Sequence, residues 1–270
     1  MKKWVNWLTS VLILISINIA YGDSNMGIES IKAYAKAQIT IEQLRKQKEV
    51  NWSQITKQYE ITAPIVKEIE SKYGMNYDTE IREALKNCEA NENSKVNQQI
   101  IAKGLQHISV MAIQDELKKV EKSHDASQKI AAFFEGIRPT FARRDSDFFK
   151  DKKNLEASAE QAIKILLNKD TKNYLTARME LESVLTRTYA LSVLFEVLEI
   201  ESLRDSKISD CDVKRMEALV FYRVIQAKIK KRSPSSDELI SNMLNRSYET
   251  MNAKILEENL NLGLSGIKLR

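Results

Sequence analysis

The apolar residues of this chain recur at intervals of three and four over most of its length, which places them on one face of an α-helix. Short polar stretches, or stretches with Gly or Pro, separate these periodic segments. The pattern predicts helices over residues 28–48, 52–72 (kinked or broken at Pro64), 78–88, 96–122, 126–134, 155–168, 171–203, 212–231 and 237–260. Because helices joined by loops this short pack antiparallel, we expect an all-α, multi-helix bundle of about seven to nine helices.

Glycine and proline are scarce, which supports the same fold class. The 270 residues include 7 Gly and 3 Pro, whereas an all-β chain needs turn residues about every 8–12 positions. The 43% of hydrophobic and 29% of charged residues are typical of a globular protein. We expect one domain over residues 23–270. Residues 138–153, which contain Pro139 and follow Gly136, lack the helical period and predict an irregular hinge.

The first 22 residues have the features of a secretory signal peptide. Lys2 and Lys3 precede an apolar stretch over residues 7–20, and the tripeptide AYG ends at residue 22, with small residues where a signal peptidase needs them. Polar residues interrupt the apolar stretch, which is shorter than the roughly 20 residues of a membrane-spanning helix. We therefore expect cleavage after residue 22 and export, with the bacterial periplasm as the compartment. No transmembrane segment is expected in the mature chain.

The charge balance argues against a nucleic-acid partner. Removal of the two signal-peptide lysines from the 42 basic residues leaves 40, against 37 acidic residues. A nucleic-acid-binding domain carries a much larger basic excess that is clustered on one face. The same near-balance gives little support to a role at a membrane surface.

The two cysteines, Cys88 and Cys211, are expected to form a disulfide. An exported protein meets an oxidising environment, in which an even number of cysteines is typical of disulfide bonding. The alternative is two separate buried thiols. Neither cysteine lies in a CxxC or CxxCH motif, so thiol-redox chemistry and covalent haem attachment are not indicated.

Glutamates interrupt two strongly apolar helices. Glu196 and Glu199 lie on a thin polar stripe of the helix that contains YALSVLFEVLEIESLRD, residues 189–205, and Glu217 lies on the apolar face of the next helix. A carboxylate in a dry interior is costly unless it is paired or binds a metal. If the two helices are antiparallel neighbours, the three glutamates converge and suit a hard or borderline cation such as iron.

Two other interpretations of these glutamates remain open. In one of them, the polar stripe, which also includes Thr188 and Ser192, is the solvent-exposed side of its helix. In the other, Glu217 forms an ion pair with a nearby arginine, as buried acids in helical bundles often do.

Three arginines lie in the 138–153 segment, at Arg138, Arg143 and Arg144. Adjacent arginines near a proline break are suited to bind an anion or the acidic surface of a partner. They are equally suited to neutralise the buried acids, with Arg143 or Arg144 as the ion-pair partner of Glu217.

No catalytic set is visible in the sequence. The motifs GxSxG and HExxH and the P-loop pattern do not occur. A ferritin-type di-iron site needs two Glu-x-x-His motifs, and only Glu121-x-x-His124 matches, because the other histidine, His107, follows Gly104 at that spacing. A di-iron site of this type is therefore excluded.

Two functions follow from these observations. We favour a non-enzymatic accessory or binding protein of the periplasm that engages a protein partner through helix faces and the 138–153 segment. The alternative is a periplasmic protein that binds a metal such as iron, or a small ligand, through Glu196, Glu199 and Glu217.

Overall fold

Every regular element in the described part of the chain is a helix. The structure is a computed structural model, and it describes residues 26–150, 154–168 and 173–270. Ten α-helices and one short 3-10 turn, Tyr248–Thr250, occur in these residues, with no strand. The helices are α1 Ile28–Leu44, α2 Trp52–Tyr73, α3 Tyr77–Glu89, α4 Ser94–Leu117, α5 His124–Phe149, α6 Leu155–Leu167, α7 Tyr174–Leu203, α8 Ile208–Arg232, α9 Pro234–Asn245 and α10 Ala253–Gly263. The expected all-α, multi-helix bundle is confirmed.

α4 lies at the centre of the bundle. All residues from 101 to 113 are buried, because α4 packs against α1, α2, α3, α5, α7 and α8. α7 is enclosed in a similar way by α5, α6, α8 and α10. Buried apolar side chains from all ten helices belong to one connected core. Charged side chains on the middle turns of α4 and α7 therefore lie inside the bundle.

α7 and α8 form a hairpin joined by residues 204–207, and they pack closely against each other. Thr188 and Ser192 on α7 are completely buried, and each hydroxyl donates to the backbone carbonyl four residues earlier. The polar stripe therefore faces the interior. Its interpretation as a solvent-exposed surface is wrong for these residues and for Glu196, which is 3% exposed.

The helix expected over residues 237–260 is two helices, α9 and α10. Ser247 Oγ accepts a hydrogen bond from the backbone N–H of Glu249, and Asn252 Oδ1 accepts one from Ile255. Both side chains act as N-caps, which begin new helical segments. Apolar residues recur at helical spacing on both sides of this break, so the sequence pattern did not reveal it. The described residues therefore contain ten α-helices, one more than the upper limit of nine that we expected.

Residues 138–149 are helical and continue α5, so the prediction of an irregular hinge is wrong for them. Pro139 has no N–H and its ring crowds the preceding turn, at a cost of about 3 kcal/mol. The flanking Ile137 and Phe141 are completely buried, and each burial contributes about 1.5–3 kcal/mol. Packing of the helix against the core therefore offsets the local cost of the proline.

Cys88 and Cys211 are unbonded, buried thiols. Cys88 lies in the last turn of α3, with its Sγ 3.6 Å from the carbonyl oxygen of Ser94. Cys211 lies in the first turn of α8, with its Sγ 3.8 Å from the carbonyl oxygen of Lys207. Burial raises the pKa of Cys88 to about 11, which makes the thiolate that starts disulfide formation scarce. The structure therefore contains two separate thiols in place of the expected disulfide.

None of the described helices is long and apolar enough to cross a membrane. The expected signal peptide, residues 1–22, lies outside the described residues, as do residues 151–153 of the expected hinge.

Candidate functional site

Glu196 of α7 and Glu217 of α8 meet inside the bundle. They are 3% and 9% exposed, and an oxygen of each carboxyl group lies within 4 Å of one atom, Nζ of Lys214. Burial and the adjacent carboxylate raise the pKa of Glu196 to about 8. Burial acts to raise the pKa of Glu217, but the charges of Lys103 and Lys214 and the neighbouring Glu196 outweigh it, so this pKa is lowered.

Lys214 of α8 contacts all three glutamates of the predicted site. Its Nζ lies 2.9 Å from Oε2 of Glu196, 3.8 Å from Oε2 of Glu217 and 3.9 Å from Oε2 of Glu199. The structure thus brings the three carboxyl groups together, as expected from antiparallel neighbouring helices. Glu199 is at the rim, with 39% of its side chain exposed. The group at the meeting point is the Lys214 ammonium.

Arg144 of α5 also contacts the glutamate pair. Its Nη1 lies 3.8 Å from Oε1 of Glu196, and its Nη2 lies 2.8 Å from Oδ2 of Asp147. The guanidinium lies over the ring of Phe195, 4.1 Å from the ring centroid. Nε and Nη1 are buried and make no hydrogen bond to any described residue. The interpretation that this arginine neutralises a buried acid is supported, although the acid is Glu196 and not Glu217.

Lys103 brings a fourth helix, α4, to the charged groups around Glu196 and Glu217. The residue is 4% exposed, and its Nζ lies 3.9 Å from Oε1 of Glu217 and 4.9 Å from the centroid of the Phe221 ring. Burial lowers the pKa of Lys103 to about 8, although Glu217 and Glu42 oppose this effect. The partners of Glu217 are therefore two lysines, not the arginine that we expected.

Glu42 of α1 interacts electrostatically with Lys103 and forms an ion pair with Arg143. Its carboxylate lies 2.6 Å from Nε of Arg45, 2.9 Å from Nζ of Lys46 and 3.3 Å from Nη1 of Arg143. Arg143 therefore pairs with Glu42 and not with Glu217. Five helices, α1, α4, α5, α7 and α8, contribute to one network of charges.

Arg138, the third arginine predicted to bind an anion or a partner, forms ion pairs between α5 and α6. Its Nε lies 2.8 Å from Oε1 of Glu156, and it also pairs with Glu135 and Glu160. All three arginines of the predicted binding segment thus have acidic partners within the chain.

We define the buried charge cluster as Glu196, Glu217, Lys103, Lys214 and Arg144.

The buried charge cluster is suited to hold protons and to fix helix positions. Breaking a buried ion pair by removing one partner leaves an uncompensated charge, at about 3–5 kcal/mol. The described residues include no group of three or more His, Cys, Asp and Glu side chains arranged to hold a metal ion. A cation at the meeting point of the three glutamates would have to displace the Lys214 ammonium.

Two cations of the cluster were missed in the sequence. Lys103 interrupts the otherwise apolar or neutral run IIAKGLQHISVMAI, and a charge in such a run is a usable signal of a buried ionic site. Lys214 gives a weaker signal, because it lies three residues before Glu217 on a mixed stretch of α8, where such pairs are usually at the surface.

A second feature is an exposed apolar surface on α9 and α10. A groove of about 480 Å³ between these helices is lined by Leu239, Met243 and Ile255, among others. Leu239 and Ile255 are 39% and 41% exposed, and Leu262, two turns after Ile255, is 63% exposed. We call Leu239, Met243, Ile255 and Leu262 the C-terminal surface.

α9 and α10 run antiparallel. Gly263 at the end of α10 lies against Ile229 near the end of α8, since a Cβ at Gly263 would lie 2.6 Å from Ile229 Cγ2. The start of α10 lies at the opposite end, where the carboxylate of Glu201 on α7 accepts a hydrogen bond from the N–H of Ala253. Leu262 is therefore at the end of the C-terminal surface where α8 ends and α9 begins.

Basic side chains lie at both ends of the C-terminal surface. Lys230, Lys231 and Arg232 complete α8 at the Leu262 end, and Arg246, which follows α9, lines the groove at the other end. All four residues are exposed and have no ion-pair partner among the residues described. Glu238 is the acidic residue that lines the groove.

Comparisons of the chain with protein-family models, with curated proteins and with solved structures gave no match.

Proposed function

We propose that this chain is an exported, non-enzymatic helical accessory protein that binds a protein partner through the C-terminal surface. The observation that carries the proposal is the exposure of Leu239 and Ile255 at one groove, with the exposed Leu262 two turns further along α10. Exposed apolar side chains that are gathered in one patch mark interaction sites more often than those scattered singly. The export of the protein rests on the sequence of residues 1–22.

The partner segment that fits this surface is an amphipathic helix with acidic ends. A groove between two antiparallel helices accepts a third helix through apolar side chains spaced three, four and seven residues apart. The unpaired cations Lys230, Lys231 and Arg232 at one end and Arg246 at the other end complement acidic residues that flank those apolar anchors. Electrostatic complementarity of this kind sets orientation and association rate more than affinity.

Photo-crosslinking from defined positions tests this proposal. A photoreactive amino acid replaces Leu239 or Leu262 or, as a matched control, the exposed Ser53 of α2, a helix that does not pack on α9 or α10. We expect one discrete product from positions 239 and 262 in cells that export the protein, and no product from position 53. The crosslinked segment, identified by mass spectrometry and made as a peptide, should be an acidic amphipathic helix.

Binding of that peptide to the purified mature protein gives the quantitative test. We expect Leu239→Glu to weaken binding at least tenfold, and Ser53→Glu to leave it unchanged. A crosslinked product of two copies of this chain would overturn the proposal in favour of self-association. Crosslinks to lipid, or equal crosslinking from all three positions, would also overturn it.

Metal binding by the three glutamates is the second candidate function. The observation that favours it is their convergence within 4 Å of one atom, Lys214 Nζ. Binding of an ion there requires Lys214 to move away and Glu196 to lose its proton. The partner-binding function needs neither change, and we therefore prefer it.

A further inference from the structure

We propose that a groove between α3 and α8 binds a small organic amine, that is, an ammonium group on a short aliphatic chain. The groove has a volume of about 290 Å³ and is lined by residues of α3, α4 and α8. It shares no lining residue with the groove of the C-terminal surface. The amine site and the proposed partner surface can therefore be tested separately, and either can fail without the other.

The groove is formed by the packing of the bundle. α4 lies beneath it, because α3 and α8 both pack against α4. Arg223 of α8 reaches across to α3, where its Nη1 lies 2.9 Å from Oε2 of Glu80. Beyond the opposite end, Nζ of Lys95 on α4 lies 2.9 Å from Oδ1 of Asp210 on α8. Contacts within the chain thus hold the three helices in place, and a ligand meets a preformed site, as is usual for small-molecule sites.

Three side chains with free acceptor oxygens line the groove. Glu83 and Asn87 lie one turn apart on α3, and neither side chain has a polar partner among the residues described. Asn97 of α4 is 7% exposed, and its Nδ2 donates to the backbone carbonyl groups of Glu92 and Asn93. These hydrogen bonds fix the nearly buried amide, whose Oδ1 accepts none from the described part of the chain.

The charge of the groove favours a cation. Arg223 is paired with Glu80, whereas Glu83 has no cationic partner among the described residues. An ammonium group has three N–H donors and no acceptor, so it complements one carboxylate and two amide oxygens. Hydrogen bonds from an ammonium to a carboxylate are roughly twice as strong as those between neutral groups.

The wall formed by α8 is apolar and calls for an aliphatic chain on the ammonium group. Met216 and Val220 lie one turn apart on α8, and Ile100 of α4 also lines the groove. Each CH₂ group that is buried against such side chains strengthens binding roughly fourfold. An inorganic cation gains nothing from this wall. The combination of free acceptors and an apolar wall therefore specifies an alkylamine.

NMR titration of the mature protein at neutral pH, where an alkylamine is charged, tests the chemistry of the ligand. We expect n-hexylamine to give saturable shifts at the backbone amides of the groove residues, and n-butylamine to bind about fifteenfold more weakly. The ammonium ion and n-hexanoate should give no saturable shifts there. Binding of n-hexanoate or of the ammonium ion as tight as that of n-hexylamine would overturn the proposal, as would the absence of saturable shifts with millimolar n-hexylamine.

Variants of the groove test its position. Glu83→Gln should weaken binding of n-hexylamine about tenfold, and Met216→Trp, which fills the groove, should abolish it. Glu49→Gln removes an exposed carboxylate in the α1–α2 connection and should leave binding unchanged. Glu83 is exposed and Met216 is partly exposed, so both variants should fold, which urea denaturation checks. Unchanged binding to both would place the amine elsewhere and overturn the site.

The titration of the unmodified protein remains decisive if a variant does not fold, because shifts confined to residues outside the groove would also overturn the site.

Discussion

The hydroxyl group of Tyr77 lies 2.5 Å from Nδ1 of His107, and both side chains are buried between α3 and α4. The charge of Arg223 lowers the pKa of His107 and also opposes the rise that burial causes in the pKa of Tyr77. Burial and, to a smaller extent, the charge of Arg223 lower the pKa of His107 to about 3.

His107 and Glu196 should have opposite effects on the pH dependence of stability. His107 gains a proton near pH 6.5 when unfolded but only near pH 3 when folded, so its contribution is complete above pH 6.5 and is lost as the pH falls. The contribution of Glu196 is complete below its unfolded pKa of 4.5 and is lost as the pH rises to about 8. The two opposing trends overlap between pH 4.5 and pH 6.5.

Urea denaturation between pH 4.5 and pH 8 separates these contributions. Between pH 4.5 and 6.5 we expect a nearly constant free energy of unfolding for the unmodified protein, and a decrease from pH 6.5 to 8. In His107→Gln, the free energy should rise as the pH falls from 6.5 to 4.5, by about 1.4 kcal/mol per pH unit. In Glu196→Gln, the free energy of unfolding should decrease as the pH falls from 6.5 to 4.5. Three identical profiles would contradict the assignment of both groups.

Lys103 and Glu217 should be energetically coupled. Lys103→Met removes a buried ammonium that lies 3.9 Å from Oε1 of Glu217, and we expect a loss of about 3 kcal/mol of unfolding free energy. Lys103→Met combined with Glu217→Gln should lose about 1–2 kcal/mol less than the sum of the single variants. Lys118→Met, at an exposed position just beyond α4, is the control and should change stability by less than about 0.5 kcal/mol. Additive losses in the double-mutant cycle would show that the pair does not interact.

The meeting of Glu196 and Glu217 could be predicted from the sequence, but the group that joins them could not. Two long apolar helices with a short connection must pack antiparallel, so a carboxyl group on each apolar face has to meet the other or a partner. Lysine has four rotatable side-chain bonds and reaches inward from positions at the edge of a buried face. The inward direction of Lys214 is therefore set by packing against other helices. The spacing of apolar residues along the sequence does not predict it.

Pro139 shows a similar limit. Its local preference predicts a break, and the charged residues after it lack a helical period. Burial of its neighbours Ile137 and Phe141 in the core decides the outcome, and that burial depends on helices distant in sequence. Asp145, in the same segment, is also buried, at 2% exposed, because its carboxylate accepts hydrogen bonds from the backbone of α6.

Asp145 should stabilise the start of α6. Its two carboxylate oxygens accept hydrogen bonds from the backbone N–H groups of Leu155 and Glu156, at 2.8 and 3.0 Å. These N–H groups in the first turn of a helix have no partner within the helix. We expect Asp145→Ala to lower the free energy of unfolding by about 2 kcal/mol.

Urea denaturation and hydrogen exchange at residues 155 and 156 provide the measurement. Ser146→Ala, at an exposed neighbouring position, is the matched control and should change stability by less than about 0.5 kcal/mol. If the two variants were equally stable, with unchanged exchange at residues 155 and 156, the capping role of Asp145 would be refuted.

Metal retention distinguishes the two candidate functions. Lys214 Nζ already supplies a positive charge within 4 Å of Glu196, Glu199 and Glu217, and burial and the neighbouring Glu217 raise the pKa of Glu196 to about 8. Both features disfavour a metal ion, which needs deprotonated ligands. After loading of the mature protein with Fe, Mn, Zn or Ca and desalting, we therefore expect no stoichiometric metal by elemental analysis. The triple variant Glu196→Gln, Glu199→Gln, Glu217→Gln is the control for binding elsewhere. A near-integer metal content that this variant loses would mean that the ion displaces both the ammonium and the proton, and the glutamates would then be metal ligands.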